Sequence, residues 1–383
     1  MLDASVKPAR APLGELAAIF LRLGVTAFGG PAAHIAIMED EFVRRRRWLT
    51  HERFLDLLGA ANLIPGPSST ELAIYIGYER AGWRGLFLGG TCFILPAALM
   101  AGAIAWAYVR FGSLPQLAGA LYGIKPVVIG VVAQALWGLG PKALKKSSLL
   151  VTVAAGACVA SAFGVDALAV LVGSGVMTVI GRRALGRSET GSAASVFGPV
   201  AVGALGTASA ATPVSLVTLF LTFLKIGALV FGSGYVLLAF LRTDFVDHLH
   251  WLTEHQLLDA VAVGQVTPGP VFTTATFIGY VVAGSWGALL ATVGIFLPGF
   301  LLVAVTRPWI ARIRRSQLAS AFLDGVNVAA LALMAVVTVQ LGRAALVDLP
   351  TIAIFAVSSV LLIRFRVNTA WLVVGGAIVG ALI

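Results

Sequence analysis

The chain has 383 residues, 59% of them hydrophobic and only 11% charged, with a mean hydropathy of +0.95 and a formal net charge of +10. That lies outside the range of a soluble globular domain, so the chain reads as an integral membrane protein. Its basic residues fall in loops between apolar segments, where the positive-inside rule accounts for them, and nucleic acid is not expected as a partner.

The first apolar segment, about 12 to 30, carries Arg22 in its middle and ends at Phe28-Gly29-Gly30-Pro31. Met1 to Arg10 is not followed by a small-residue cleavage site of the secretory kind, so this segment reads as a retained helix. A polar loop follows with His34, the run Arg44 to Arg47 and Trp48-Leu49-Thr50. Residues 54 to 64 are apolar and stop at Pro65-Gly66-Pro67, and a second run extends from Ser68 to Tyr78. Proline lacks an amide donor and restricts the residue before it, so this motif ends one helix and opens the next. Apolar stretches of spanning length follow at about 84 to 109 and 116 to 140, then a shorter pair at 148 to 162 and 165 to 181. A Gly, Ser, Ala and Thr-rich joint from about 182 to 212 separates these from the rest. Beyond it come 213 to 234, a second broken pair around Pro268-Gly269-Pro270, long stretches at 286 to 306 and 318 to 342, and a short pair at 350 to 363 and 369 to 383.

The second series repeats the first. Phe20-Leu21-Arg22-Leu23-Gly24 returns as Phe223-Leu224-Lys225-Ile226-Gly227, Trp48-Leu49-Thr50 as Trp251-Leu252-Thr253, and Pro65-Gly66-Pro67 as Pro268-Gly269-Pro270, all offset by 203 residues. The expected fold is an all-α membrane protein of two homologous inverted-topology repeats. Residues 1–190 form the first, 191–212 the linker and 213–383 the second, with about ten spans and a re-entrant helical hairpin at each PGP motif.

A helix tip at membrane depth is tolerated only where protein buries it or water reaches it. Asn62, Gly66, Ser68, Ser69 and Thr70 in the first half, and Gln265, Gly269, Thr273 and Thr274 in the second, cluster at these tips. Free amides and the positive dipole end of each second half-helix favour an anion there. Two tips supply roughly one positive charge, so a dianion calls for another cation. Arg22 and Lys225 occupy equivalent positions and are read as that charge, or as side chains that snorkel to an interface. Gly29, Gly30 and Gly232 are read as permitting close approach at the site. Glu71 is either the third member of a capping box begun by Ser68 or a carboxyl that couples a proton to transport, with Lys125 as its partner.

These residues resemble the chromate ion transporter family. The resemblance rests on Phe28-Gly29-Gly30-Pro31 with His34, on Trp48-Leu49-Thr50 with Asp56 and Asn62-Leu63-Ile64-Pro65-Gly66-Pro67, and on Phe231-Gly232-Ser233-Gly234 with Gly264-Gln265-Val266-Thr267-Pro268-Gly269-Pro270. It implies a bidomain inner-membrane protein that exports chromate and thereby confers resistance, with sulfate as the look-alike oxyanion. Residue chemistry alone reaches an oxyanion transporter. The tips are unequal: Ser68-Ser69 becomes Val271-Phe272, Asn62 becomes Gln265 and Glu71 becomes Thr274.

With each hairpin returning to its own side, nineteen Lys and Arg residues share one face and five the other, Lys7 and Arg10 among the five. The first face is assigned to the cytoplasm and both termini to the outside. The Arg44 to Arg47 run then reads as a topology anchor on anionic lipid. Asp56 and Asp259 are expected in the first turn of their helices, stabilising the macrodipole. His34, with no second histidine at ligand spacing, is expected in a loop or interface, and Tyr78 and Tyr280 in the interfacial belt. Cys92 and Cys158 support neither a disulfide framework nor a metal site, and no cofactor is expected.

A dianion leaving a negative interior moves downhill by about 4.6 kcal/mol per 100 mV, enough for a roughly thousandfold gradient. Export therefore needs no ATP, and no GxxxxGK[ST] loop is present. The competing readings are a sulfate importer coupled to protons or sodium, and a membrane-embedded enzyme, for which neither HExxH nor GxSxG is found. A homodimer stays open.

Overall fold

The computed structural model describes residues 11–28, 30–112, 115–145, 147–186, 213–231, 236–306, 316–365 and 367–383. Every regular element among them is helical. Gly29, Gly232, Lys7, Arg10 and the 191–212 linker, all singled out from the sequence, lie outside the described residues.

The first correction comes at once. α1 (Leu13–Thr26) and α8 (Leu216–Leu229) have 14 residues each, about 21 Å of helix against a hydrocarbon core of about 30 Å. The spans expected over 12 to 30 and 213 to 234 stop early, because Ala27 and Val230 turn to extended backbone. α2 (Gly30–Glu39), prolonged by a π-helical turn at Asp40–Arg45, runs back beside α1. Ion pairs fix that direction: Arg46 meets Glu15 near the start of α1, and Arg22 meets Glu41. α9 (Leu237–Leu241) with its π-helical turn Arg242–His248 does the same beside α8 through Lys225 and Asp244.

α3 (His51–Ala61) starts at a Thr50 cap and α10 (Glu254–Val266) at a Thr253–Gln256 capping box. Each runs to its PGP motif, where the chain reverses. Arg53 on α3 pairs with Glu79 beyond the turn, so the two arms are antiparallel. The next helices, α4 (Ser68–Phe111) and α11 (Thr274–Thr306, entered through a 3-10 turn at Val271–Thr273), are each broken once. Gly82 and Gly284 take φ of +62° and +63° at the breaks. The first arm then folds onto the second so closely that a Cβ on Gly77 would stand 2.1 Å from the Gly85 carbonyl, and one on Gly279 2.3 Å from that of Gly287.

α5 (Pro115–Leu144), α6 (Ser148–Ala162) and α7 (Ala167–Gly186) complete the first series, and α12 (Gln317–Ala345), α13 (Leu349–Arg364) and α14 (Thr369–Leu382) the second. The halves interlock rather than sit side by side. Gly123 of α5 meets Gly376 and Gly380 of α14, and Gly325 of α12 meets Ser174 and Gly175 of α7. Small residues let backbones approach where lipid supplies no hydrophobic drive between helices.

Among the described residues, five stretches are long and apolar enough to cross a membrane: 68–111, 118–144, 167–184, 271–306 and 317–345. Large apolar side chains such as Trp83, Phe87, Leu99 and Trp137 are exposed on the outer surface, as a lipid-facing wall requires. The protein is a multi-pass membrane protein. The chain enters at the arginine-rich end, because the Ala11 amide donates to the Arg80 carbonyl at 3.2 Å. The expectation that the first residues lie at the opposite end from Arg80 fails, because the backbone pairs Ala11 with Arg80.

Candidate functional site

Each half thus has two breaks, one after its first helix and one at PGP, and the four meet crosswise. The Gly66 amide donates to the Val230 carbonyl at 2.7 Å, and the Gly269 amide donates to the Ala27 carbonyl at 2.8 Å. The PGP turn of each half therefore caps the broken first helix of the other. Both turns need glycine at their centre, since Gly66 has φ +128° and Gly269 φ +89°. α4 and α11 pack together beside them, with Phe87 stacked on Phe300 at 6.0 Å.

At the first tip α4 opens after Pro67 with no side-chain cap, so its first-turn amides lack one. The capping box considered for Ser68 and Glu71 does not form. Ser68, Ser69, Thr70 and Glu71 are nonetheless all buried. Ser69 Oγ lies 3.2 Å from His34 Nδ1, and the His34 ring packs edge-on against Phe93. Two buried polar atoms here, Thr70 Oγ1 and Glu71 Oε2, have no hydrogen-bond partner among the described residues. Buried polar atoms are seldom left so, and a cluster of them points to a ligand or water.

The second tip is built from the same backbone with its polar groups turned inward. Thr273 donates to the Pro270 carbonyl and Thr274 to the Val271 carbonyl, each at 2.8 Å. Gln265 Nε2 is left without a partner. Val271 and Phe272 fill the places of Ser68 and Ser69. Asn62 forms the C-cap of α3 beside the first turn, and Gly30, at φ +77°, opens α2.

The residues expected to bring the second positive charge are engaged elsewhere. Arg22 pairs with Glu41 and Lys225 with Asp244, each at 2.6 Å, and their side chains are about half exposed. Both reach back along their helices toward carboxylates on the returning strand of chain, the snorkelling geometry. Lys125 does not approach Glu71. It lies 3.3 Å from the buried Asp259, whose other oxygen accepts from the Tyr108 hydroxyl at 3.0 Å, and this part-buried trio joins α5 and α4 to α10 of the other half. Asp56 and Asp259 sit at the sixth residue of their helices, so the first-turn role passes to Glu52 and Glu254.

Sequence reasoning missed His34, which is 1% exposed rather than in a loop. The available signal was its place one turn into the helix after Gly30, facing back toward the next tip. It also missed Gly299, whose Cβ, if present, would stand 2.8 Å from Glu71 Oε1. Among the described residues no three His, Cys, Asp or Glu side chains gather as a metal site. What the arrangement offers chemically is a buried, uncapped helix N-terminus with hydroxyl, imidazole and carboxyl groups and no fixed ion pair, which suits a small oxyanion.

The family described as Chromate transporter matches twice, over residues 14–179 and 217–381. The chain is 35% identical to the chromate transport protein of Cupriavidus metallidurans, over 96% of this chain and 92% of that one. It is 34% identical to the probable chromate transport protein of Synechococcus elongatus, over 89% and 88%, and 31% identical to the chromate transport protein of Pseudomonas aeruginosa, over 92% and 87%. No solved structure matches it. With the family matched across both halves, this chain belongs to the chromate transporter family.

Proposed function

We propose that the protein exports chromate across the inner membrane, binding the dianion between the uncapped start of α4 and the matching start of α11. The observations that support this reading are the crossed pair of PGP turns, each bonded to the broken first helix of the other half, and the unpartnered buried Thr70 Oγ1 and Glu71 Oε2 at the first tip. Gly66, Ser68, Ser69, Thr70 and His34 supply the contacts of the first tip, and Gly269, Gln265, Thr273 and Thr274 those of the second. The relatives' names supply the word chromate.

The PGP hairpins are re-entrant in this account, and the first-helix hairpins, α1 with α2 and α8 with α9, enter beside them from the same sides. The two halves, 1–190 and 213–383, stand inverted, with the arginine-rich end at the cytoplasm. A negative interior then drives a dianion outward by about 4.6 kcal/mol per 100 mV. Uptake of chromate into everted vesicles under an imposed potential, with sulfate as competitor, tests both substrate and direction. Potential-driven accumulation supports export. Accumulation of sulfate alone, and only into right-side-out vesicles with a proton or sodium gradient, replaces it with import.

A further inference from the structure

Glu71 is a buried carboxyl, 1% exposed, in the first turn of α4, and its Oε2 has no hydrogen-bond partner. Its room is made by two glycines from opposite halves. A Cβ on Gly66 would stand 2.1 Å from Glu71 Oε1, and one on Gly299 would stand 2.8 Å from it. At the second tip the matching positions are Thr274 and Ala97, and there the threonine hydroxyl is satisfied by the Val271 carbonyl. The acid of one half and the glycine of the other thus meet at the first tip, and neither has a counterpart at the second.

Among the described residues no ion pair to this carboxyl is formed. α11 carries no Asp, Glu, Lys, Arg or His between Thr274 and Thr306. On α1, Arg22 and Glu15 are held by Glu41 and Arg46. On α2, His34 bonds to Ser69, and Glu39 lies near Arg44. α3 keeps His51, Glu52, Arg53 and Asp56 exposed, and Arg53 pairs with Glu79, about 12 Å farther along α4. On α10, Glu254 pairs with Arg242, Asp259 is held by Lys125 and Tyr108, and His255 is the remaining titratable group. On α4 itself Tyr75 lies one turn on, bonded to Thr306. A bare carboxylate in this setting is costly, and an arriving dianion would repel it further.

We propose that Glu71 acts as a neutral carboxylic acid in the anion-loaded protein, its Oε2–H donating a hydrogen bond to the oxyanion, so that one proton is taken up with each anion bound. This deepens the anion-site reading and rests on it. The proton comes from water and sits on Glu71 Oε2 while the anion is bound. If it leaves with the anion, one net negative charge crosses per cycle. The chromate gradient sustained by 100 mV then falls from roughly a thousandfold to a few tens.

Calorimetric titration of chromate onto the purified full chain tests this, at about pH 8 in two buffers of different ionisation enthalpy, which count protons exchanged. The expected result is about one proton taken up per anion by the wild type. Glu71→Gln keeps a donor without a charge, and should bind within about threefold of wild type with no proton uptake. Glu71→Thr with Gly299→Ala copies the other half, so it guards against a folding defect, and it too should bind without a proton. Chromate binding without proton uptake by the wild type, or unchanged uptake by Glu71→Gln, overturns the proposal while leaving the anion site standing. No chromate binding by folded wild type overturns both.

Discussion

Gly66 donates its amide to the carbonyl of Val230 at 2.7 Å, and the relation is returned by Gly269 and Ala27 at 2.8 Å. Two hydrogen bonds, related by the same offset that relates the sequences, hold the centre of the molecule. Added side chains have no place there: a Cβ on Gly269 would stand 2.8 Å from that of Ala97, and both glycines have positive φ. Gly66→Ala and Gly269→Ala should each destabilise the detergent-purified protein by about 2–4 kcal/mol, combining backbone strain with overpacking. Thermal unfolding checks this, and an unchanged midpoint for Gly269→Ala would contradict it.

Thr70 separates stability from function. Its hydroxyl is buried and has no partner, so replacing it with the near-isosteric valine removes an unsatisfied group. Thr70→Val should leave stability unchanged or raise it by about 1 kcal/mol. A fall in the unfolding midpoint would mean that the hydroxyl is already bonded within the fold.

Lys125 and the buried Asp259 form a part-buried pair between the halves. Lys125→Met leaves Asp259 buried beside Tyr108 alone, and should cost about 3–5 kcal/mol. Replacing both, as Lys125→Met with Asp259→Leu, should recover most of that loss. A single variant as stable as wild type would show that the pair holds nothing together.

Asp348 caps α13 outside the membrane spans. The Tyr122 hydroxyl, 2.6 Å away, and then the Thr351 amide hold its carboxyl below the ordinary aspartate value. A carboxylate depressed in the folded state adds stability that is present above its unfolded pKa of about 3.9, and that is lost as pH falls through the lower folded value. The unfolding midpoint of the wild type should therefore drop more steeply below about pH 4 than that of Tyr122→Phe. Parallel curves would contradict this.

Much of this centre could be read from the chain, because it depends on local rules. Pro65-Gly66-Pro67 and Pro268-Gly269-Pro270 break helices wherever they occur, and the fixed offset marks them as one device used twice. The inequality of the tips was equally plain in Ser69 against Phe272 and Glu71 against Thr274. What escaped notice depends on distant pairing. Residues 12 to 30 have the composition of a complete span, and nothing local says that α1 stops at Thr26 to meet a turn from the other half. Arg22 reads locally as a free cation because its partner Glu41 lies 19 residues on, in a segment that folds back beside α1. Lys125 was matched to Glu71 as an acid in want of a base, whereas the fold presents it to Asp259 across the two halves. His34 gave only its spacing from Gly30, and its meaning came from Ser69, 35 residues away.

The claim that the anion sits at the first tip, and not beside the mid-helix cations, is tested most directly by chromate flux into everted vesicles. Thr70→Val is set against the double variant Arg22→Gln with Lys225→Gln, at matched protein levels. The account predicts at least a tenfold loss for Thr70→Val, the scale of one lost charge-assisted hydrogen bond of about 1.5–3 kcal/mol. It predicts less than about a threefold change for the double variant, whose cations are neutralised by Glu41 and Asp244. Full flux in Thr70→Val, with loss in the double variant, would place the anion at Arg22 and Lys225 and contradict the account.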